Sequence, residues 1–149
     1  MNLKNVKHID ELRRLRLPMN DLLLVGSTTM ALLGMKENDD IDIWSTERAF
    51  NLMKNDSNLV PVKKHGRLFY ESKTGNIEIS NRMPCTKGPI QNYLKRSILI
   101  YGIHFQSVDD LIAWKKCMGR PKDRQHLKLL LQYKENKVNE NYLDILKTI

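Results

Sequence analysis

The chain has 149 residues, enough for one domain with a real core. Its 41% hydrophobic and 28% charged residues have the balance of a water-soluble globular protein. No apolar stretch approaches the ~20 residues of a membrane span, and no leader-like segment follows the N-terminus. These features predict a cytoplasmic protein with no membrane partner. The net charge of +8 points to polyanionic partners: nucleotides, RNA or DNA. Cys85 and Cys117 form no metal-ligand pattern and are too few for a disulfide framework.

In chain order, Val6 to Leu15 reads as a short basic amphipathic helix ended by Pro18. Leu22-Leu23-Leu24-Val25 reads as a buried strand running into Gly26-Ser27. Thr28 to Met35 reads as a helix, with Ser27 or Thr28 as its N-cap. Asn38-Asp39 is a turn, and Asp40 to Trp44 a second strand. Ser45 to Lys54 reads as a helix capped by Ser45 or Thr46. Leu59 to Lys63 and Arg67 to Glu71 form a hairpin around His65-Gly66, and Ile77 to Ser80 is a further strand. Gly88 to Ile100 is expected as a helix and Ile103 to Gln106 as a short strand. Val108 to Met118 and Pro121 to about Tyr133 follow as helices, with a last helix over 139–148. The order of elements predicts one α+β domain over 1–149, with its core over about 21–131. A small mixed sheet with helices packed against it is the expected architecture.

Four groups of residues carry chemistry. Gly26-Ser27 stands at a strand-to-helix junction, where glycine lets the backbone approach a ligand and the free amides suit a phosphate. The same pair also occurs as an ordinary turn. Asp40 and Asp42 alternate with Ile41 and Ile43, so on a strand both carboxylates share one face, roughly 6–7 Å apart. Like charges that close favour a cation between them, and Mg²⁺ takes one or two carboxylates plus substrate phosphates. The alternative is an exposed acidic turn running into an edge strand.

Glu78, between Ile77 and Ile79, repeats the pattern. It reads either as a third metal-binding carboxylate or general base, or as an outward residue of a half-exposed strand. Lys115 falls on the apolar stripe of Val108, Leu111, Ile112 and Met118, and Asp123 points inward with Leu127, Leu130 and Leu131. A core-facing lysine requires a partner. A structural Lys115–Asp123 ion pair and a phosphate-binding Lys115 oriented by Asp123 are both consistent with the spacing. The hairpin around Lys63, Lys64 and Arg67, with Phe69 and Tyr70, reads as solvated or as a nucleic-acid contact.

In this order and spacing the residues resemble the nucleotidyltransferase superfamily, whose fold is that of the DNA polymerase β catalytic domain. The family's strand, Gly-Ser, helix, Asp-x-Asp strand and later acidic strand correspond to Gly26 and Ser27, Asp40 and Asp42, and Glu78. The stretch from Ser107 to Lys115, followed by Gly119-Arg120-Pro121-Lys122-Asp123, is similar to the ending of small bacterial and phage members of the abortive-infection toxin type. The resemblance implies transfer of a nucleoside monophosphate from an NTP to an acceptor hydroxyl. Asp40, Asp42 and Glu78 would hold Mg²⁺ or Mn²⁺. Gly26, Ser27, Lys115, Arg120, Lys122 and Asp123 would serve the triphosphate. It implies an RNA, tRNA, protein or small-molecule acceptor and, for a toxin, an antitoxin partner. A catalytically silent nucleotide- or RNA-binding module and an antibiotic-type small-molecule transferase are the alternatives.

Overall fold

Every residue of Leu22–Val25 (β1) is buried, and strand alternation sends them to two separate apolar clusters. In the computed structural model, which describes residues 1–148, this strand lies inside a seven-stranded sheet. The other strands are Ile41–Ser45 (β2), Leu59–Lys64 (β3), Arg67–Ser72 (β4), Ile77–Ser80 (β5), Ile98–Ile100 (β6) and Ile103–Phe105 (β7). Their order is β3-β4-β5-β2-β1-β7-β6. β1 pairs antiparallel with β2 and parallel with β7, while β2 pairs parallel with β5. The remaining neighbours are antiparallel. The sheet is therefore mixed, and with its helices the chain is of the expected α+β class.

The chain divides into two compact units, Met1–Ser107 and a second from Val108 onward. The first holds the whole sheet and the helices Ile9–Arg14 (α1), Ser27–Leu32 (α2), Glu47–Leu52 (α3) and Ile90–Arg96 (α4). The second holds Val108–Met118 (α5) and Pro121–Lys147 (α6), which pack on each other. No helix among the described residues is long and apolar enough to cross a membrane.

The main core lies on one face of the sheet. Leu22, Leu24, Ile41, Ile43, Ile77 and Ile79 meet Ile9 and Leu12 of α1, Ala31 and Leu32 of α2, and Ala49 and Phe50 of α3. Phe50 meets Tyr70 edge to face, with ring centroids 5.0 Å apart. The alternate residues face the other way. There Leu23, Val25 and Trp44 are covered by Ile90 and Tyr93 of α4. Farther along this face the pattern turns polar: Asp42 and Glu78 occupy it between isoleucines that face the core. Apolar-in and polar-out alternation thus holds over 41–43 and 77–79, whereas Trp44 is buried on the second face and both faces of β1 are buried.

Several elements differ from expectation. β2 begins at Ile41, so Asp40 lies in the bend before the strand. The expected helix over 88–100 ends at Arg96. Its β-branched end becomes β6, which forms a hairpin with β7 through Tyr101 and Gly102, both at positive φ. The two helices expected after Pro121 are one, because residues 134–138 contain neither proline nor glycine to interrupt it. Thr46, one of the two expected caps, does cap α3, accepting from the Ala49 amide at 3.2 Å. His65 and Gly66, both at positive φ, form the expected tight turn between β3 and β4.

The bend ahead of β2 is fixed by Asn38, which is fully buried. Its side chain accepts from the Lys7 amide at 2.9 Å and donates to the carbonyls of Lys7 and Asp40 at 3.1 and 3.0 Å. Asn38→Asp keeps the acceptor but loses both donations, which leaves two carbonyls without partners. The expected loss is about 1–3 kcal/mol of unfolding free energy in urea denaturation, with Asn38→Ala at least as damaging.

Candidate functional site

The sheet register brings together residues far apart in sequence. Val25 on β1 is the Cα partner of Asp42 on β2, and Asp42 is the Cα partner of Glu78 on β5. Paired residues on neighbouring strands share a face, so the two carboxylates stand side by side, one strand spacing of about 4.8 Å apart at the backbone. Glu78 is in turn opposite Glu71 on β4. A row of three carboxylates therefore crosses three adjacent strands. Like charges directly opposite in a sheet are destabilising, and the row requires a counter-charge.

Lys64 supplies it. From the end of β3 its Nζ reaches back along the sheet to Glu71 Oε1 at 2.9 Å and to Glu78 Oε2 at 2.5 Å. The bonds to Glu78 and then Glu71 raise the lysine pKa well above its usual value, so the ammonium keeps its proton through the physiological range. Phe69 lies beneath this arrangement, with Lys64 Nζ and the Arg67 guanidinium 5.8 and 5.2 Å from its ring centre. Arg67 donates to Ser80 Oγ at 2.9 Å and to the Arg82 carbonyl at 3.1 Å, which fixes the far end of β5.

The Gly26-Ser27 junction follows directly on Val25, next to Asp42 across the β1–β2 pair. Gly26 has φ 74° and ψ −138°, a backbone region essentially confined to glycine. The turn is held by Gln106, 1% exposed, which follows β7. Its Oε1 accepts from the Gly26 amide at 3.0 Å, its backbone carbonyl accepts from Thr29 Oγ1 at 2.8 Å, and its amide donates to the Leu24 carbonyl at 2.8 Å. Ser27 remains half-buried at the head of α2, while Thr28 Oγ1 is buried without a hydrogen-bond partner.

Gly26, Ser27, Asp42 and Glu78 are thus brought into one neighbourhood. Asp40 is exposed and two residues before Asp42, but sheet pairing does not fix its side chain beside the other carboxylates. As the side chains stand, no three His, Cys, Asp or Glu among the described residues converge as a ready metal cluster. The donor chemistry nonetheless fits a hard divalent cation: adjacent carboxylates on one face, all-oxygen donors, and an ammonium already drawn to them. Neither cysteine is a free thiol.

In the second unit, the expected inward pair is present. Lys115 is 3% exposed and Asp123 fully buried, with Nζ and Oδ1 3.0 Å apart. Arg120 adds bonds to both Asp123 oxygens, Nε to Oδ2 at 2.6 Å and Nη2 to Oδ1 at 3.1 Å, and its backbone amide donates to Oδ2 at 3.0 Å. Burial pushes the Asp123 carboxyl up, but the bonds from Arg120 and Lys115 outweigh it and hold the carboxyl well below the usual range. Burial, with the nearby charges of Arg120 and Lys122, lowers the Lys115 pKa, although its bond to Asp123 acts the other way. Lys115 is spent on Asp123; Lys122 is exposed and Arg120 half-buried. Leu131 is 48% exposed, so it does not share the buried side of Asp123 and Leu130.

Sequence reasoning missed Lys64 and Glu71 as partners of Glu78, and it missed Gln106 altogether. Glu71 lay in a strand of the right alternation, and Lys64 was at the hairpin end, but nothing in the sequence fixed that this hairpin lies beside the strand of Glu78. Two large hollows of the first unit lie elsewhere. One of about 560 Å³ is bordered by Trp44, Thr46, Arg48 and Ile90, and one of about 680 Å³ by α1 with Thr74 and Asn76. The carboxylate row borders neither, and the chemistry of the row outweighs hollow size in locating the site. No family model, curated protein or solved structure matches the chain.

The buried trio makes a prediction about stability. Asp123→Asn leaves Lys115 buried without its counter-charge and is expected to cost about 3–5 kcal/mol in urea unfolding, whereas Lys115→Met leaves Asp123 with Arg120 and costs less. The folded pKa of Asp123 lies below its unfolded value of about 3.9, so its contribution is complete above that pH and is lost as pH falls toward the folded value. The stability gap between wild type and Asp123→Asn should accordingly narrow below about pH 4.

Proposed function

We propose that the chain is a divalent-cation-dependent nucleotidyltransferase of the DNA polymerase β-like fold, moving a nucleoside monophosphate from an NTP to an acceptor hydroxyl. The observation that carries the reading is the register: Asp42 and Glu78 are Cα partners on neighbouring parallel strands, and the Gly26-Ser27 turn starts one residue beyond Val25, the other partner of Asp42. Carboxylates and a glycine-permitted turn adjacent in space are what phosphate chemistry requires, and the net charge of +8 suits polyanionic substrates.

Asp42 and Glu78, with Asp40 from the preceding bend, would hold Mg²⁺ or Mn²⁺. When bound, such a cation neutralises the triphosphate and lowers the pKa of the attacking hydroxyl. The chain's own residues do the rest. The Gly26 turn allows close approach of the triphosphate, and the Ser27 hydroxyl donates to a phosphate oxygen. A carboxylate oxygen of Glu78 accepts the proton of the acceptor hydroxyl. The acceptor oxygen forms a bond to the α-phosphorus, the bond from that phosphorus to the α–β bridging oxygen breaks, and pyrophosphate leaves with the electron pair. A toxin role with an RNA acceptor belongs to the same proposal and rests on the likeness of the 107–123 stretch alone.

The test is incubation of the purified protein with each α-labelled NTP, Mg²⁺ and cell extract, followed by fractionation of the labelled product. Label transfer is expected, and Asp42→Asn should reduce it by more than the roughly 10–100-fold that outer-shell changes cost. Unchanged transfer by Asp42→Asn, or no transfer from any NTP, would overturn the reading.

A further inference from the structure

The ammonium of Lys64 and a divalent cation have the same claim on Glu78. Lys64 Nζ is 2.5 Å from Glu78 Oε2, and Glu78 is the neighbour of Asp42 on the face described above. Two cations sharing one partly solvated carboxyl group repel each other, so uptake of one weakens the hold of the other. The lysine is not held by Glu78 alone, however. Glu71 Oε1 takes a second bond at 2.9 Å, and it lies on the side of Glu78 away from Asp42, since β4 and β2 flank β5 on opposite sides. The side chain of Lys64 is 41% exposed, so it has room to move.

We propose that Lys64 is an exchangeable counter-ion of the site: it bridges Glu78 and Glu71 when no divalent cation is present, and retreats to Glu71 alone when one is taken up. Lys64 and Glu71 are then positioning residues. Lys64 holds Glu78 and Glu71 together without a metal, and Glu71 gives it somewhere to go. The inference rests on the cation-binding reading of Asp42 and Glu78 and deepens it. It accounts for a carboxylate that the transfer reaction does not use, and for the length of lysine side chain needed to reach two strands away.

The measurement is Mn²⁺ binding, by titration calorimetry and by the loss of the free-ion electron paramagnetic resonance signal, on the full chain. Asp42→Asn serves as the control that locates the ion. Lys64→Met is expected to bind Mn²⁺ about fivefold more tightly, as removal of a competing partly exposed ion pair allows. Lys64→Arg, which keeps the charge, should stay near wild type. Glu71→Gln should weaken binding about threefold, because Lys64 is then left to Glu78, and this effect should fall by more than half in the Lys64→Met background. Without metal, Lys64→Met should melt at a lower temperature than wild type and recover more on adding Mn²⁺.

Equal Glu71→Gln effects in both backgrounds, or unchanged or weaker Mn²⁺ binding in Lys64→Met, would overturn the exchange while leaving the cation site intact. Absence of Mn²⁺ binding that depends on Asp42, in wild type and Lys64→Met alike, would remove the cation reading and this inference together.

Discussion

The site's geometry depends on one constraint, the pairing of β2 between β1 and β5. A strand alternates its side chains, and a slip of one residue would send Asp42 into the main core and Ile41 and Ile43 out to solvent. The apolar cost of that slip is large, because Ile41, Ile43, Ile77 and Ile79 are each at most 2% exposed. The carboxylates are thus aligned by isoleucines that never touch them. Hydrophobic burial on one face of the sheet sets the electrostatics of the other.

That electrostatic arrangement is costly by itself. Glu71, Glu78 and Asp42 cross the sheet in a line. Lys64 relieves it from the hairpin end, and the tight His65-Gly66 turn determines how far along β4 the lysine begins its reach. Just past the end of β7, Gln106 performs the corresponding task with neutral groups, tying to itself the Gly26 turn that lies eighty residues away in sequence. A charged clamp and a neutral clamp thus hold the two sides of Asp42's neighbourhood.

The second unit shows the same physics with less exposure. One carboxylate, Asp123, receives two side-chain cations and a backbone amide. Its bond to the Arg120 amide also closes the first turn of α6, where an acidic group favours the helix dipole. A single residue therefore serves helix initiation and the neutralisation of a buried lysine. This economy explains why Lys115 could be read from the sequence as either structural or phosphate-directed. Its position on an apolar stripe requires a negative partner but does not say whether that partner belongs to the chain.

The sequence alone determined whatever depends on local periodicity. Alternating Ile and acid on β2 and β5 showed which residues face the core; the apolar run of β1, the His65-Gly66 turn and the 3.6-residue stripe of α5 were legible because neighbouring residues create those patterns. The mixed α+β class followed from the order of these elements. Where local signals were balanced, they failed: Ile98 to Ile100 follows a helix without a proline or glycine between them and forms a strand paired with β7, and 134–138 continued a helix because nothing stops it. Beyond the β3–β4 hairpin, only the tertiary structure decided which strands are adjacent. It therefore set Glu78 beside Asp42, brought Glu71 and Lys64 into the same row, left Asp40 in a bend outside the ladder, and closed Gln106 onto Gly26. The physical reason is that a strand's sequence fixes its two faces, whereas its neighbours are chosen by the burial of the whole sheet, which no short stretch of sequence contains.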